Sequence, residues 1–154
     1  AVRQFLHQVE WGELDVLVID LPPGTGDAQL TMIQTVPLSG AIIVTTPQKA
    51  AVDVARRGAH MFEKVSVPLL GVVENMSFLA DEETGTKRYI FGKGGGPATA
   101  EALETPFLGE IALDERIRLG GDNGIPVVVS NPDGPAGKSI RNIAEKLWDT
   151  LVAT

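Results

Sequence analysis

The 154-residue sequence contains no cysteine. Disulfides, thiolate metal sites and cysteine nucleophiles are thereby excluded together. Positive charge is also in short supply, with 13 Lys and Arg against 20 Asp and Glu, a net charge of −7. A surface of that sign repels phosphate backbones and anionic lipid, so neither nucleic acid nor a membrane is expected as a partner. Arg56-Arg57 and Lys87-Arg88 are isolated pairs, not a basic patch. No apolar run approaches the ~18 residues that span a bilayer. The opening Ala1-Val2-Arg3-Gln4-Phe5 has no long apolar core of a signal peptide, which makes the cytoplasm the expected compartment. It also lacks an initiator Met, which suggests a start inside a longer protein. What is present is 44% hydrophobic and 21% charged residues, the composition of a globular chain with a sizeable core, read as one domain over residues 1–154.

Three runs are almost unbroken in apolar character: residues 14–20, ending in Asp20; residues 41–46; and residues 69–75, ending in Asn75. Such runs predict central parallel strands covered on both faces. Between the last two, Ala51, Val52, Ala55, Ala59 and Phe62 recur at helical spacing, predicting a crossover helix over residues 48–65. Shorter helices are expected over 28–36 and 97–103, a strand over 107–111, and a closing helix whose Ile140, Ile143, Ala144, Leu147, Trp148 and Leu151 form one apolar stripe. Residues 77–88 read as an exposed polar loop, and 120–124 and 131–135 as turn clusters. The alternation predicts an α/β fold, a mostly parallel sheet with helices on both faces and ligands at the carboxyl ends of its strands.

At that edge stands Asp20-Leu21-Pro22-Pro23-Gly24-Thr25-Gly26-Asp27. An acid at a strand tip holds magnesium through water, and glycines let backbone N–H groups come close to a terminal phosphate. The plainer reading is a tight turn that ends a buried strand. Asn75, at another tip, has an amide with both donor and acceptor, as an adenine edge requires; it is also a common turn former after a strand.

The octet resembles the switch II segment of the Mrp/ApbC proteins, deviant P-loop ATPases related to MinD and the nitrogenase iron protein. The resemblance continues through Val44-Thr45-Thr46-Pro47-Gln48, Gly71-Val72-Val73-Glu74-Asn75-Met76-Ser77, Ile90-Phe91-Gly92-Lys93-Gly94-Gly95-Gly96 and Pro106-Phe107-Leu108-Gly109-Glu110-Ile111, covering essentially the whole chain. It implies a partial P-loop NTPase domain of the SIMIBI type. By position, Asp20 corresponds to the acid that supports magnesium through water. Gly24, Thr25 and Gly26 correspond to the backbone that senses the γ-phosphate, and Asn75 to the residue that contacts the base. Asp27 corresponds to a position that orients water or a dimer contact, or caps the following helix. The implied cofactors are ATP and Mg2+, and the implied partners a second copy of the chain and iron–sulfur client apoproteins.

Two departures qualify that resemblance. No Gly-x-x-x-x-Gly-Lys-Ser/Thr segment occurs, so the phosphate-gripping element is missing. Residues 91–97 imitate one, but Pro97 and Ala98 stand where Lys and Ser/Thr are needed. The missing strand would flank the strand ending at Asp20, and its edges are then expected to re-pair within the chain, with another copy, or with further polypeptide. The second departure lies where many family members carry Cys-x-x-Cys. Here the chain reads Leu79-Ala80-Asp81-Glu82-Glu83-Thr84-Gly85-Thr86-Lys87-Arg88, and carboxylates replace thiolate poorly on an iron–sulfur cluster. Cluster carriage by this loop is not expected, and His7 and His60 are too far apart to supply ligands. The leading expectation is therefore an iron–sulfur cluster assembly or carrier ATPase, with hydrolysis in the full-length protein and little in these residues alone. The alternatives are a non-catalytic, nucleotide-dependent scaffold and a MinD/ParA-like partition ATPase. A receiver domain built on Asp20 and Thr45 ranks low, because Asn75 occupies the kind of place its Lys would need.

Overall fold

The computed structural model describes residue 4 and residues 8–21, 27–81 and 83–152. Along them run α1 (Asp27–Thr35), β1 (Ala41–Thr45), α2 (Lys49–Lys64), β2 (Leu69–Glu74), β3 (Leu79–Ala80), β4 (Lys87–Arg88), α3 (Gly95–Ala102), β5 (Phe107–Glu110), α4 (Glu115–Asn123), α5 (Val127–Ser130) and α6 (Pro135–Val152). The strands β1, β2 and β5 pair in that order and both ladders are parallel. Parallel neighbours need a crossover, and α2 and α3 provide the helical part of each. The short pair β3 and β4 is antiparallel, Leu79 opposite Arg88.

Side chains alternate across the sheet, so its faces feed two cores. On one face Ala41, Ile43 and Val72 pack with Ile33 of α1, Ala59 and Phe62 of α2 and Ala100 of α3. On the other, Val73 and Leu108 pack with Ile143 and Leu147 of α6. The predicted α/β class, with helices on both faces, is the observed one. Because α6 lies over β5 and β2, the outward side chains of β1 stay in solvent, Val44 at 59% exposure.

Three expectations need correction. Residues 14–20 form no ladder with any described residue, and Leu14, Val16, Leu17 and Val18 are exposed. A strand owes its hydrogen bonds and its burial to neighbours, and no described segment lies where they would be. Re-pairing within the described chain does not occur. Second, the polar stretch 77–88 is no simple loop: Ser77 and Phe78 are buried, and β3 and β4 make a hairpin. Third, only part of the α6 stripe is covered. Ile143 is buried, whereas Trp148 is 49% exposed, since the sheet beneath offers two strands of floor rather than three.

The turn cluster at 120–124 is the end of a helix that composition hides. Its glycines and Asn are poor helix formers. Asp114 compensates as N-cap, accepting from Arg116 N at 2.9 Å. Arg118 reaches Glu115 at 3.0 Å and Asp122 at 2.7 Å, and Gly124 closes the helix in the left-handed conformation at φ 68°.

Candidate functional site

Because the three strands are parallel, their carboxyl ends share one edge, and the chain leaves them through segments that hydrogen bonds tie together. Asn75 N donates to Thr45 O at 2.7 Å, Ile111 N to Glu74 O at 2.8 Å, and Ser77 N to Ile111 O at 2.9 Å. Each tip is thus fixed by the next. Asn75 is half-buried on this rim; its Oδ1 accepts from Met76 N at 2.9 Å, and its Nδ2 has no partner among the described residues. Met76 turns the chain at φ 52°, a left-handed conformation uncommon for a side-chain-bearing residue.

The glycine-rich entry to α3 packs into the same edge. A Cβ on Gly95 would stand 2.8 Å from Pro47 O, and one on Gly96 would stand 2.7 Å from Glu74 Cβ. Glu74 itself is completely buried. Its Oε1 accepts from Ser77 Oγ at 2.6 Å, and its Oε2 accepts from Gly96 N. Thr46 Oγ1, at the tip of β1, is buried without a hydrogen-bond partner among the described residues.

Of the predicted site residues, Asn75 is the one this network holds. Asp20 takes no part in these hydrogen bonds and is exposed at the end of the segment that forms no ladder among the described residues. Gly24, Thr25 and Gly26 lie outside the described residues, and so does His7. Asp27 is the first residue of α1. His60 lies on α2, where Nδ1 meets Glu63 Oε2 at 2.8 Å. Thr45 is buried in β1, with its hydroxyl donating to Thr46 O at 3.2 Å. Glu74, Ser77 and Gly96 are the members that motif reading left without a role. The signal was there: an acid closing a strand that otherwise reads Leu-Leu-Gly-Val-Val.

The hairpin carries its own charge pattern. Asp81 Oδ1 accepts from Thr84 N and Thr84 Oγ1, both at 2.8 Å, and from Glu83 N at 3.1 Å. The Thr84 N–H, then the Thr84 hydroxyl, hold the Asp81 carboxyl below its ordinary value. Lys87 Nζ sits 4.0 Å from the centre of the Phe78 ring and 2.8 Å from Glu110 Oε2, pinning the hairpin to the end of β5. An acid so occupied within its own turn does not fit an iron–sulfur cluster, and among the described residues no three His, Asp or Glu side chains gather around a possible metal position. The rim suits a nucleotide base better, through the Asn75 Nδ2, which has no partner among the described residues, and the exposed carboxylate of Asp20 suits a hydrated magnesium.

The family model described as ParA, NUBPL iron-transfer P-loop NTPase, matches residues 1–148. The chain belongs to this family. One relative, the iron-sulfur cluster carrier protein of Synechocystis sp., is 48% identical over 147 residues, which cover 95% of this chain and 42% of that protein. Among solved structures, the nucleotide-binding protein from Archaeoglobus fulgidus in complex with ADP is 38% identical with a TM-score of 0.73, over 87% of this chain and 54% of that one. The cell division ATPase MinD of Pyrococcus furiosus is 25% identical with a TM-score of 0.72, over 97% of this chain and 57% of its own. The chain therefore spans about half the length of the relatives it matches. Among the described residues, no helix is long and apolar enough to cross a membrane.

Proposed function

We infer that the intact protein binds magnesium-ATP at the carboxyl edge of this sheet and serves iron–sulfur cluster assembly or transfer. The observation that carries the reading is Asn75. Its amide stands at a strand tip, fixed by β1 and β5, in a fold shared with a relative whose structure holds ADP. Residues 1–154 are then the switch II and adenine-side part of a nucleotide-binding domain, and the phosphate-gripping Lys belongs to a segment outside this sequence. Bound magnesium-ATP would supply a γ-phosphoryl group for transfer to water.

Each residue of this chain has a distinct task in that scheme. Asn75 meets the edge of the adenine. Asp20 supports magnesium through water. The backbone of Gly24, Thr25 and Gly26 senses the γ-phosphate, where N–H groups and small residues allow close approach, and Asp27 orients water or a dimer contact. The functional unit is a homodimer in the cytoplasm, and its clients are iron–sulfur apoproteins.

Phosphate release by the intact protein tests this. It should require magnesium and fall at least a hundredfold in Asp20→Asn, the scale of losing one preorganised electrostatic contact. Unchanged release in that variant would remove Asp20 from the mechanism. Release absent from the wild type would favour a nucleotide-dependent scaffold.

A further inference from the structure

Glu74 is the only charged side chain among the described residues that is wholly shielded from water. A carboxylate there is costly unless its oxygens are satisfied, and an apolar residue of similar size would often stabilise as well or better. Valine already fills the two preceding positions of β2. The acid is therefore explained by what it fixes in place. Its two oxygens grip partners on either side of the turn: Ser77 Oγ, three residues on, and Gly96 N, in the first turn of α3. The helix N-terminus favours negative charge at that point. Its main chain is tied as well, with its carbonyl accepting from Ile111 N and the following amide, Asn75 N, donating to Thr45 O. The span 74–77 is thus closed at both ends, and Asn75 and the left-handed Met76 lie between them.

We propose that Glu74 is a positioning residue for Asn75: by bonding Ser77 and Gly96 it closes the turn 74–77 and sets the direction in which the Asn75 amide meets a nucleobase. This rests on the reading of Asn75 as the base contact. The carboxylate touches no nucleotide and acts through its neighbour. Its effect accordingly falls on which base is accepted, not on the phosphate end.

The test is base discrimination by the intact protein, taken as the ratio of ATP to GTP dissociation constants from displacement of a fluorescent nucleotide, with thermal unfolding recorded alongside. Asn75→Ala should lower the preference for ATP. Ser77→Ala removes one of the two grips while leaving the acid bonded to Gly96, and should lower the preference about fivefold, the scale of one net hydrogen bond. In the Asn75→Ala background the same change should have no further effect. Glu74→Gln keeps an acceptor for Gly96 N and turns an NH2 donor toward Ser77 Oγ, whose hydroxyl can accept in place of donating, so it should restore most of the preference that Glu74→Ala loses. If Glu74→Ala does not fold, Ser77→Ala and its double mutant decide alone. Ser77→Ala with a lowered melting temperature but wild-type preference, or with a loss that simply adds to that of Asn75→Ala, overturns the proposal. A wild-type preference in Asn75→Ala itself would instead bring down the base contact, and the positioning role with it.

Discussion

Gly96 packs α3 tightly against β2, and it gives the clearest quantitative check on the packing of the candidate edge. A methyl group added there would stand 2.7 Å from Glu74 Cβ, 2.9 Å from a ring carbon of Phe107 and 3.1 Å from Glu74 Oε2. Carbon atoms in comfortable contact lie roughly 3.5–4.0 Å apart. The helix entry must therefore retreat by about an ångström, or β2 and β5 must bend. Both strands are held in ladders, and retreat breaks the bond from Gly96 N to the buried carboxylate. Overpacking of this kind costs about 1–3 kcal/mol, and leaving a buried acceptor unpaired acts in the same direction. We expect Gly96→Ala to destabilise by about 2–3 kcal/mol. Gly58→Ala is the control: Gly58 lies inside α2, and nothing stands within 4 Å of the added carbon. It should stabilise by about 0.5–1 kcal/mol through helix propensity. Urea denaturation followed by circular dichroism reads both. Midpoints that differ by less than the equivalent of about 0.5 kcal/mol would refute the close approach, since surface substitutions alone vary by that much.

Two further outcomes follow from carboxylates held by local hydrogen bonds. Asp114→Ala should cost about 1 kcal/mol as a lost N-cap. Burial raises the Asp114 carboxyl, but the side-chain and backbone bonds to Arg116 outweigh it and leave it below 3.8; this stabilisation is therefore present above pH 3.8 and vanishes as pH falls through the folded value. Denaturation at neutral and strongly acidic pH should show a smaller acid loss in Asp114→Ala than in the wild type. Asp81 has the same sign, with its carboxyl held below 3.8 by Thr84. The amide resonance of Thr84 should titrate below pH 3.8, and a higher midpoint would contradict the turn.

Apolar patterning located the strands that have a parallel neighbour to pair with. The nearly unbroken apolar runs at 41–46 and 69–75 became β1 and β2 almost to the residue, and Val52, Ala59 and Phe62 are on the inner face of α2. The same signal misled at residues 14–20, because apolar content records a surface meant for burial and not whether a neighbour is there to bury it. Polar elements escaped for the opposite reason. Stability in α4 comes from Asp114, Arg118 and Gly124 acting at its ends and along its side, features that carry no period. The hairpin depends on Lys87 spanning Phe78 and Glu110, a contact between distant positions. In the candidate site, motif spelling pointed to Asn75, which is half-buried on the rim. Glu74 stayed silent because its work lies in what it bonds beneath the surface.

The uncovered flank of β1 has a practical bearing on handling the protein. Among the described residues that strand pairs on one side only, and Ile42 and Val44 look into water. A bare margin of this kind is a template for sheet growth, chain upon chain, and apolar side chains beside it favour stacking once growth begins. Preparations of these residues alone should cloud with rising concentration. A lysine at Val44 would blunt the margin without touching either core, since that side chain faces away from both.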